Sequence, residues 1–153
     1  MDKSALRKMI KEKKRAMTGE EITLASEKLA QLFFASSGYQ NAKSIYGYLP
    51  YNQEVRTIPM LEQAIKDGKR VAVPKVFGDE MKFIWMDDLT AVSKGYAGIP
   101  EPIEDGPIAD DPGALVLMPG LAFDPQGHRF YNNSKLVMYR YDSDEIYYEI
   151  PVQ

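Results

Sequence analysis

Residues 114–118 read Ala-Leu-Val-Leu-Met, five apolar positions in a row. A strand with one wet face alternates polar and apolar residues, so an unbroken apolar run fits a strand covered on both faces, as at the centre of an α/β sheet. Shorter β-prone runs surround it. Residues 44–49 (SIYGYL), 70–76 (RVAVPKV), 81–86 (MKFIWM) and 136–141 (LVMYRY) are rich in β-branched and aromatic side chains and are predicted strands.

Helical patterns lie between them. Leu6, Met9, Ile10 and Met17 recur at helical spacing among lysines and arginines. Thr18-Gly19-Glu20-Glu21 is a capping box, in which a threonine oxygen and a glutamate satisfy the free amides of a helix start. The helix it opens places Ile22, Ala25, Leu29, Leu32 and Phe33 on one face and is expected to stop at Ser36-Ser37-Gly38. Thr57 is the expected cap of a further helix with Pro59 in its first turn, Ile58, Leu61 and Ile65 as its buried stripe, and Gly68 as its stop. Strands alternating with helices predict a three-layer α/β fold, with a mainly parallel sheet flanked by helices, as a single domain over residues 1–153. Residues 93–112 hold four of the ten prolines and are expected to form an irregular surface loop.

The chain's 153 residues, 44% apolar and 27% charged, suffice for one good core and exclude wholesale disorder. A net charge of -3 gives no basic excess, which argues against a general nucleic-acid binder. With no cysteine there are no disulfides, thiolate nucleophiles or cysteine metal sites. The absence of a signal-like start and of any apolar run near ~20 residues predicts no membrane partner and fits a cytoplasmic protein.

Candidate chemistry falls in three places. Lys3 and Arg7, four apart, project from one helix face and can clamp a polyphosphate, but with Lys11, Lys13, Lys14 and Arg15 following, spacing alone favours a solvated basic face. Glu54 sits in the loop beyond the 44–49 strand, the end at which open α/β sheets bind ligands. It is either an acceptor for ring amino and amide groups or an ordinary loop acid, and a loop acid contributes little to stability. The segment 119–129, PGLAFDPQGHR, follows the apolar strand directly. Its Asp124 and Arg129 can meet a metal–phosphate group, while His128, the only histidine, reads as a surface or hydrogen-bonding residue. Trp85 and the ten tyrosines can stack on a ligand ring or simply pack.

Together these pieces resemble the 5-formyltetrahydrofolate cyclo-ligase family. Lys3-Ser4-Ala5-Leu6-Arg7 is similar to its K-x-x-L-R; the 44–49 strand with Glu54-Val55 and Thr57 to its strand and E-V-x-T; Gly98-Ile99-Pro100-Glu101-Pro102 to its G-I-x-E-P; and Pro119-Gly120 through Phe123-Asp124, Gly127 and Arg129 to its P-G-x-x-F-D-x-x-G-x-R. The four stand in the family's order from residue 3 to 129. The resemblance implies conversion of 5-formyltetrahydrofolate to 5,10-methenyltetrahydrofolate with ATP and Mg2+. It puts Lys3, Arg7 and Arg129 on ATP and Leu49 and Glu54 on the reduced folate, with Asp124 as a candidate metal ligand, in a monomer or homodimer.

After Arg129 the likeness breaks. Where the family continues L-G-x-G-x-G-Y-Y-D, this chain reads Phe130-Tyr131-Asn132-Asn133-Ser134-Lys135, and no glycine follows Gly127. Other residues do not freely take the positive-φ conformations of a phosphate nest. The tail from Lys135 to Val152 again looks like the family's closing strand and terminal I-P-V. Three accounts stand open: this sequence lacks a segment that the functioning protein carries; the chain is a shortened relative without ATP turnover; or residues 130–134 support the chemistry by another route. Arg56 is a smaller departure, at a position where the family has a small or acidic residue.

Overall fold

The computed structural model describes residues 2–51, 54–95, 100–103 and 105–119 (only the backbone for Lys3), together with the backbone of 122–123, 129–130, 136–140 and 146–150. Helix α1 spans Lys3–Arg15, its start capped by Asp2 Oδ1, which accepts from the Ala5 N–H at 2.7 Å. Its last turn carries Lys13, Lys14 and Arg15, where positive charge complements the helix dipole. Helix α2 spans Gly19–Ala35 and begins as expected, with Thr18 Oγ1 accepting from the Glu21 N–H at 3.1 Å. Ile22, Ser26, Leu29 and Phe33 are its buried residues, whereas Leu32, expected on that face, is 48% exposed.

Ser36 ends α2 but does not end helical structure. Its hydroxyl donates to the Phe33 carbonyl at 2.6 Å and accepts from the Tyr39 N–H at 3.2 Å, so one serine closes α2 and caps α3, Ser37–Asn41. Five residues are too few to display a helical period, and no helix was expected there. Its anchor is Tyr39, whose ring centroid lies 4.9 Å from Phe33 and 5.1 Å from Phe34, and whose hydroxyl donates to Asp67.

The main sheet has six strands in the order β10-β9-β6-β1-β2-β3, formed by β1 Ser44–Tyr46, β2 Arg70–Phe77, β3 Glu80–Met86, β6 Leu115–Met118, β9 Leu136–Arg140 and β10 Ile146–Ile150. Its centre is parallel, β1 pairing with β2 and with β6; β3, β9 and β10 extend it with antiparallel pairs. Strand β1 is shorter than residues 44–49, and past Tyr46 the Gly47 N–H continues the ladder, donating to the Ala72 carbonyl at 2.9 Å. The proline-rich stretch is not wholly irregular. Strands β4 Val92–Lys94 and β5 Pro100–Pro102 pair antiparallel, and Lys75 at the end of β2 ties the segment after β5 down, through Asp105 at 2.8 Å and the Ile103 carbonyl at 3.2 Å. Strands β7 Ala122–Phe123 and β8 Arg129–Phe130 form a further antiparallel pair.

The larger core lies between one sheet face and α2, α3 and α4, the last spanning Ile58–Lys66. On α4 the fully buried residues are Met60, Leu61 and Ala64, with Ile58 and Ile65 packed at the margin, a stripe rotated from the expected one. Gly68, at φ +82°, ends this helical segment as expected. Helix α4 crosses close to Gly47, where a Cβ would lie 2.6 Å from Leu61 Cδ2. On the other face Tyr46, Ala72 and Val116 pack with Ala109 and Ala114, and Tyr46 stacks on Phe83 at 4.8 Å. Among the described residues no helix side chain enters that second cluster.

Candidate ligand cavity

The carboxyl ends of β1, β2 and β6 converge on a cavity of about 210 Å³. Leu49 and Glu54 both line it, with Tyr48 and Tyr51 from the same loop, Pro74 and Val76 from β2, and Pro119 directly after β6. This is where a parallel α/β sheet offers its strand ends to a ligand.

The loop is tied down at three points. The Thr57 hydroxyl, fully buried, donates to the Tyr48 carbonyl at 2.5 Å instead of capping α4. The Arg56 N–H donates to Ser26 Oγ on α2 at 2.9 Å. Tyr51 and Glu54 close on each other: the Tyr51 N–H donates to Glu54 Oε1 at 2.7 Å, and the Glu54 N–H donates to the Tyr51 carbonyl at 3.1 Å. A carboxylate held this way is presented in one orientation.

Although it lies in a loop, Glu54 is buried, only 5% exposed. Burial pushes its carboxyl above the usual carboxylate range, against the Tyr51 N–H and the positive charges of Lys14 and Arg56. Lys14 is itself lowered by burial, with the Glu54 charge opposing that shift. Helix α1 thus reaches the site electrostatically through Lys14. In the sequence Lys14 reads only as part of a solvated basic face, although its seven-residue spacing from Arg7 keeps the two on one helix face.

Glu101 on β5 also lines the cavity, and its Oε2 accepts from the Val76 N–H at 3.3 Å. It lies in the G-I-x-E-P motif, but a motif position without a loop or strand context gave no hint of a shared wall with Glu54.

The other candidates are placed differently. Arg7 is half-buried on α1 and is not part of the cavity lining; the side chains of Lys3 and Arg129, together with Asp124 and His128, lie outside the described residues. Trp85 faces elsewhere: it packs edge-on to Tyr46 and under Arg70, whose guanidinium carbon is 3.8 Å from the ring centroid. Among the described residues no three acidic or histidine side chains converge on a metal position, and no helix is long and apolar enough to cross a membrane.

Comparison with known proteins matches the chain to one family. The profile of the 5-formyltetrahydrofolate cyclo-ligase family covers residues 1–131. The chain belongs to that family. Within it, the mouse 5-formyltetrahydrofolate cyclo-ligase is 28% identical over an alignment of 137 residues that covers 83% of this chain and 67% of the mouse protein. A probable 5-formyltetrahydrofolate cyclo-ligase of Caenorhabditis elegans is 28% identical over an alignment of 141 residues that covers 83% of this chain and 66% of that one. The solution structure of Aquifex aeolicus 5,10-methenyltetrahydrofolate synthetase superposes with a TM-score of 0.73 at 30% identity, over 84% of this chain and 66% of that one. The chain therefore spans about two thirds of the length of these cyclo-ligase relatives. The family match ends beside Arg129 and Phe130, where the glycine-rich pattern is missing from the sequence.

Proposed function

We propose that this chain acts on a reduced folate, cyclising 5-formyltetrahydrofolate to 5,10-methenyltetrahydrofolate at the expense of ATP. The observation that carries the reading is the shared cavity: Leu49 and Glu54, the two positions that the family likeness puts on the folate, line one recess at the ends of the parallel strands. At about 210 Å³ the recess suits one ring system with the rest of the ligand extending outward, below the ~300–1,000 Å³ of pockets that enclose a whole drug-sized ligand.

The chemistry requires activation of a poor leaving group. The formyl oxygen attacks the γ-phosphorus; the O–P bond forms as the bond to the ADP oxygen breaks. N10 then attacks the resulting imidate carbon and gives up its proton, and the C–O bond breaks to release phosphate. Alignment and charge neutralisation supply most of the acceleration in such a sequence. In this reading Leu49 walls the ring and Glu54 accepts from its N–H groups. Lys3, Arg7 and Arg129 neutralise the polyphosphate. Asp124 is the candidate ligand for the Mg2+ that accompanies ATP. The protein works in the cytoplasm as a monomer or homodimer.

A second reading, a non-catalytic folate-binding relative, is favoured by one observation: no glycine follows Gly127 to build the phosphate loop. Incubation of the purified chain with 5-formyltetrahydrofolate and MgATP separates the two. The cyclo-ligase reading expects ATP-dependent growth of the near-ultraviolet absorbance of the methenyl product. No product at high protein concentration refutes it for this chain and leaves the binding-only reading.

A further inference from the structure

Side chains alternate across a strand, so Met81, Phe83 and Trp85 of β3 share one face of the sheet. Opposite them in register on β2 stand Val76, Pro74 and Ala72. At the end of this row away from the cavity the rings are covered: Trp85 and Phe83 lie against Tyr46, at centroid distances of 5.6 and 4.8 Å. Met81 continues the row and is 59% exposed. It lines the cavity together with Val76 and Pro74, so its side chain stands on the sheet face that the cavity occupies.

A single exposed apolar side chain is ordinary on a protein surface. Leu24, Leu32, Ile103 and Ile108 are exposed to a similar degree, and none of them lines the cavity. Met81 differs by its place. Every other residue lining the cavity is buried or half-buried, which puts Met81 at the mouth. The recess of about 210 Å³ takes one ring system, and the next group of the ligand leaves it past this rim. A methionine side chain is unbranched, adapts its shape and packs favourably on aromatic rings. Its strand is paired with β2 from Glu80 to Met86, so the contact requires little backbone ordering.

We propose that Met81 is a specificity-determining contact at the cavity mouth, packing on a flat aromatic group that the ligand carries just beyond the ring it buries. The assignment rests on the folate reading above, since a reduced folate carries an aminobenzoyl ring beyond its pterin, and adds to it a residue that the family motifs did not single out.

Calorimetric titration of 5-formyltetrahydrofolate into the full chain, Met81→Ala and Met81→Leu, with thermal melts of the free proteins, tests it. The same titrations with 5-formyltetrahydropterin, which lacks the aminobenzoyl ring, locate the contact. The expected result is a Kd roughly 3- to 10-fold weaker in Met81→Ala, the size of one methionine–ring contact. Met81→Leu, which keeps an apolar side chain of similar volume, should stay within about twofold of the wild type. The free-protein Tm should not change, and the wild type and Met81→Ala should not differ toward the pterin fragment. Equal affinity of the wild type and Met81→Ala for the whole ligand would overturn the Met81 contact and leave the folate reading intact. So would a lower Tm in free Met81→Ala, a loss in Met81→Leu as large as in Met81→Ala, or an equal loss toward the fragment, which would place Met81 on the buried ring instead. Failure of the wild-type chain to bind 5-formyltetrahydrofolate at millimolar concentration would remove the folate reading itself, and the contact with it.

Discussion

Gly47 joins β1 to the cavity loop, and a single methyl group there should register in both stability and binding. A Cβ at this position would sit 2.6 Å from Leu61 Cδ2, 2.9 Å from Cδ1 and 3.2 Å from Cγ, where ordinary carbon contacts begin near 3.4 Å. A side-chain tip can usually swing aside, but Leu61 is fully buried in the larger core and has nowhere to go. Overpacking of this kind costs about 2 kcal/mol, which for a chain of this size lowers Tm by roughly 4–8 °C. Leu61→Ala alone removes a buried leucine and costs about 3 kcal/mol. The two effects should not add. In Gly47→Ala/Leu61→Ala the new methyl enters the space the leucine vacates, so the double variant should be at least ~1 kcal/mol more stable than the sum of the single losses predicts. Urea unfolding of the four proteins measures the cycle. A harmless Gly47→Ala, or strict additivity, would refute the claim that the close approach of α4 to β1 is what demands glycine here.

Two further perturbations probe the loop. Glu54→Gln keeps the shape and the acceptor for the Tyr51 N–H but removes a charge that burial disfavours. A carboxyl raised in the folded state loses stability as pH climbs from its ordinary value of 4.5 to its higher folded one, so the Tm advantage of Glu54→Gln should be smallest in acid, grow across that window and then level off; a pH-independent difference contradicts the assigned burial effect. Thr57→Val is isosteric and breaks the bond to the Tyr48 carbonyl; about 1–2 kcal/mol of stability and part of the folate affinity should go with it, and melts and titrations that match the wild type would show that this tie does not hold the loop.

The parallel centre was legible because its signals are local. The apolar run at 114–118 announced a strand covered on both faces, and Thr18 announced α2 by the hydrogen bond it makes. What escaped the sequence reading was decided by distant partners. Thr57 looked like a helix cap, yet its hydroxyl turns back to Tyr48, nine residues earlier. Helix α3 exists because Tyr39 finds Phe33, Phe34 and Asp67, the last from the far end of α4. β4 and β5 pair across prolines that read as loop punctuation, with Lys75 holding the following segment from β2. Of the residues lining the cavity, Glu54 could be named from its place beyond a strand and Leu49 from the family likeness alone. Loop position predicts exposure only when nothing covers the loop, and Glu54 is buried with its carboxyl raised. Tyr48 and Lys14 have ordinary neighbours in sequence, and only the folded chain brings the phenol, the lysine and the carboxylate to one place.

The most direct test of the central claim, that the Glu54 recess binds a reduced folate, is an equilibrium titration of 5-formyltetrahydrofolate into the wild-type chain and Glu54→Gln. Saturable binding by the wild type, with affinity lower by roughly tenfold or more in the variant, is the predicted result, since a charge-assisted hydrogen bond is lost at little structural cost. Equal affinity in the two proteins, or no binding by either, would contradict it.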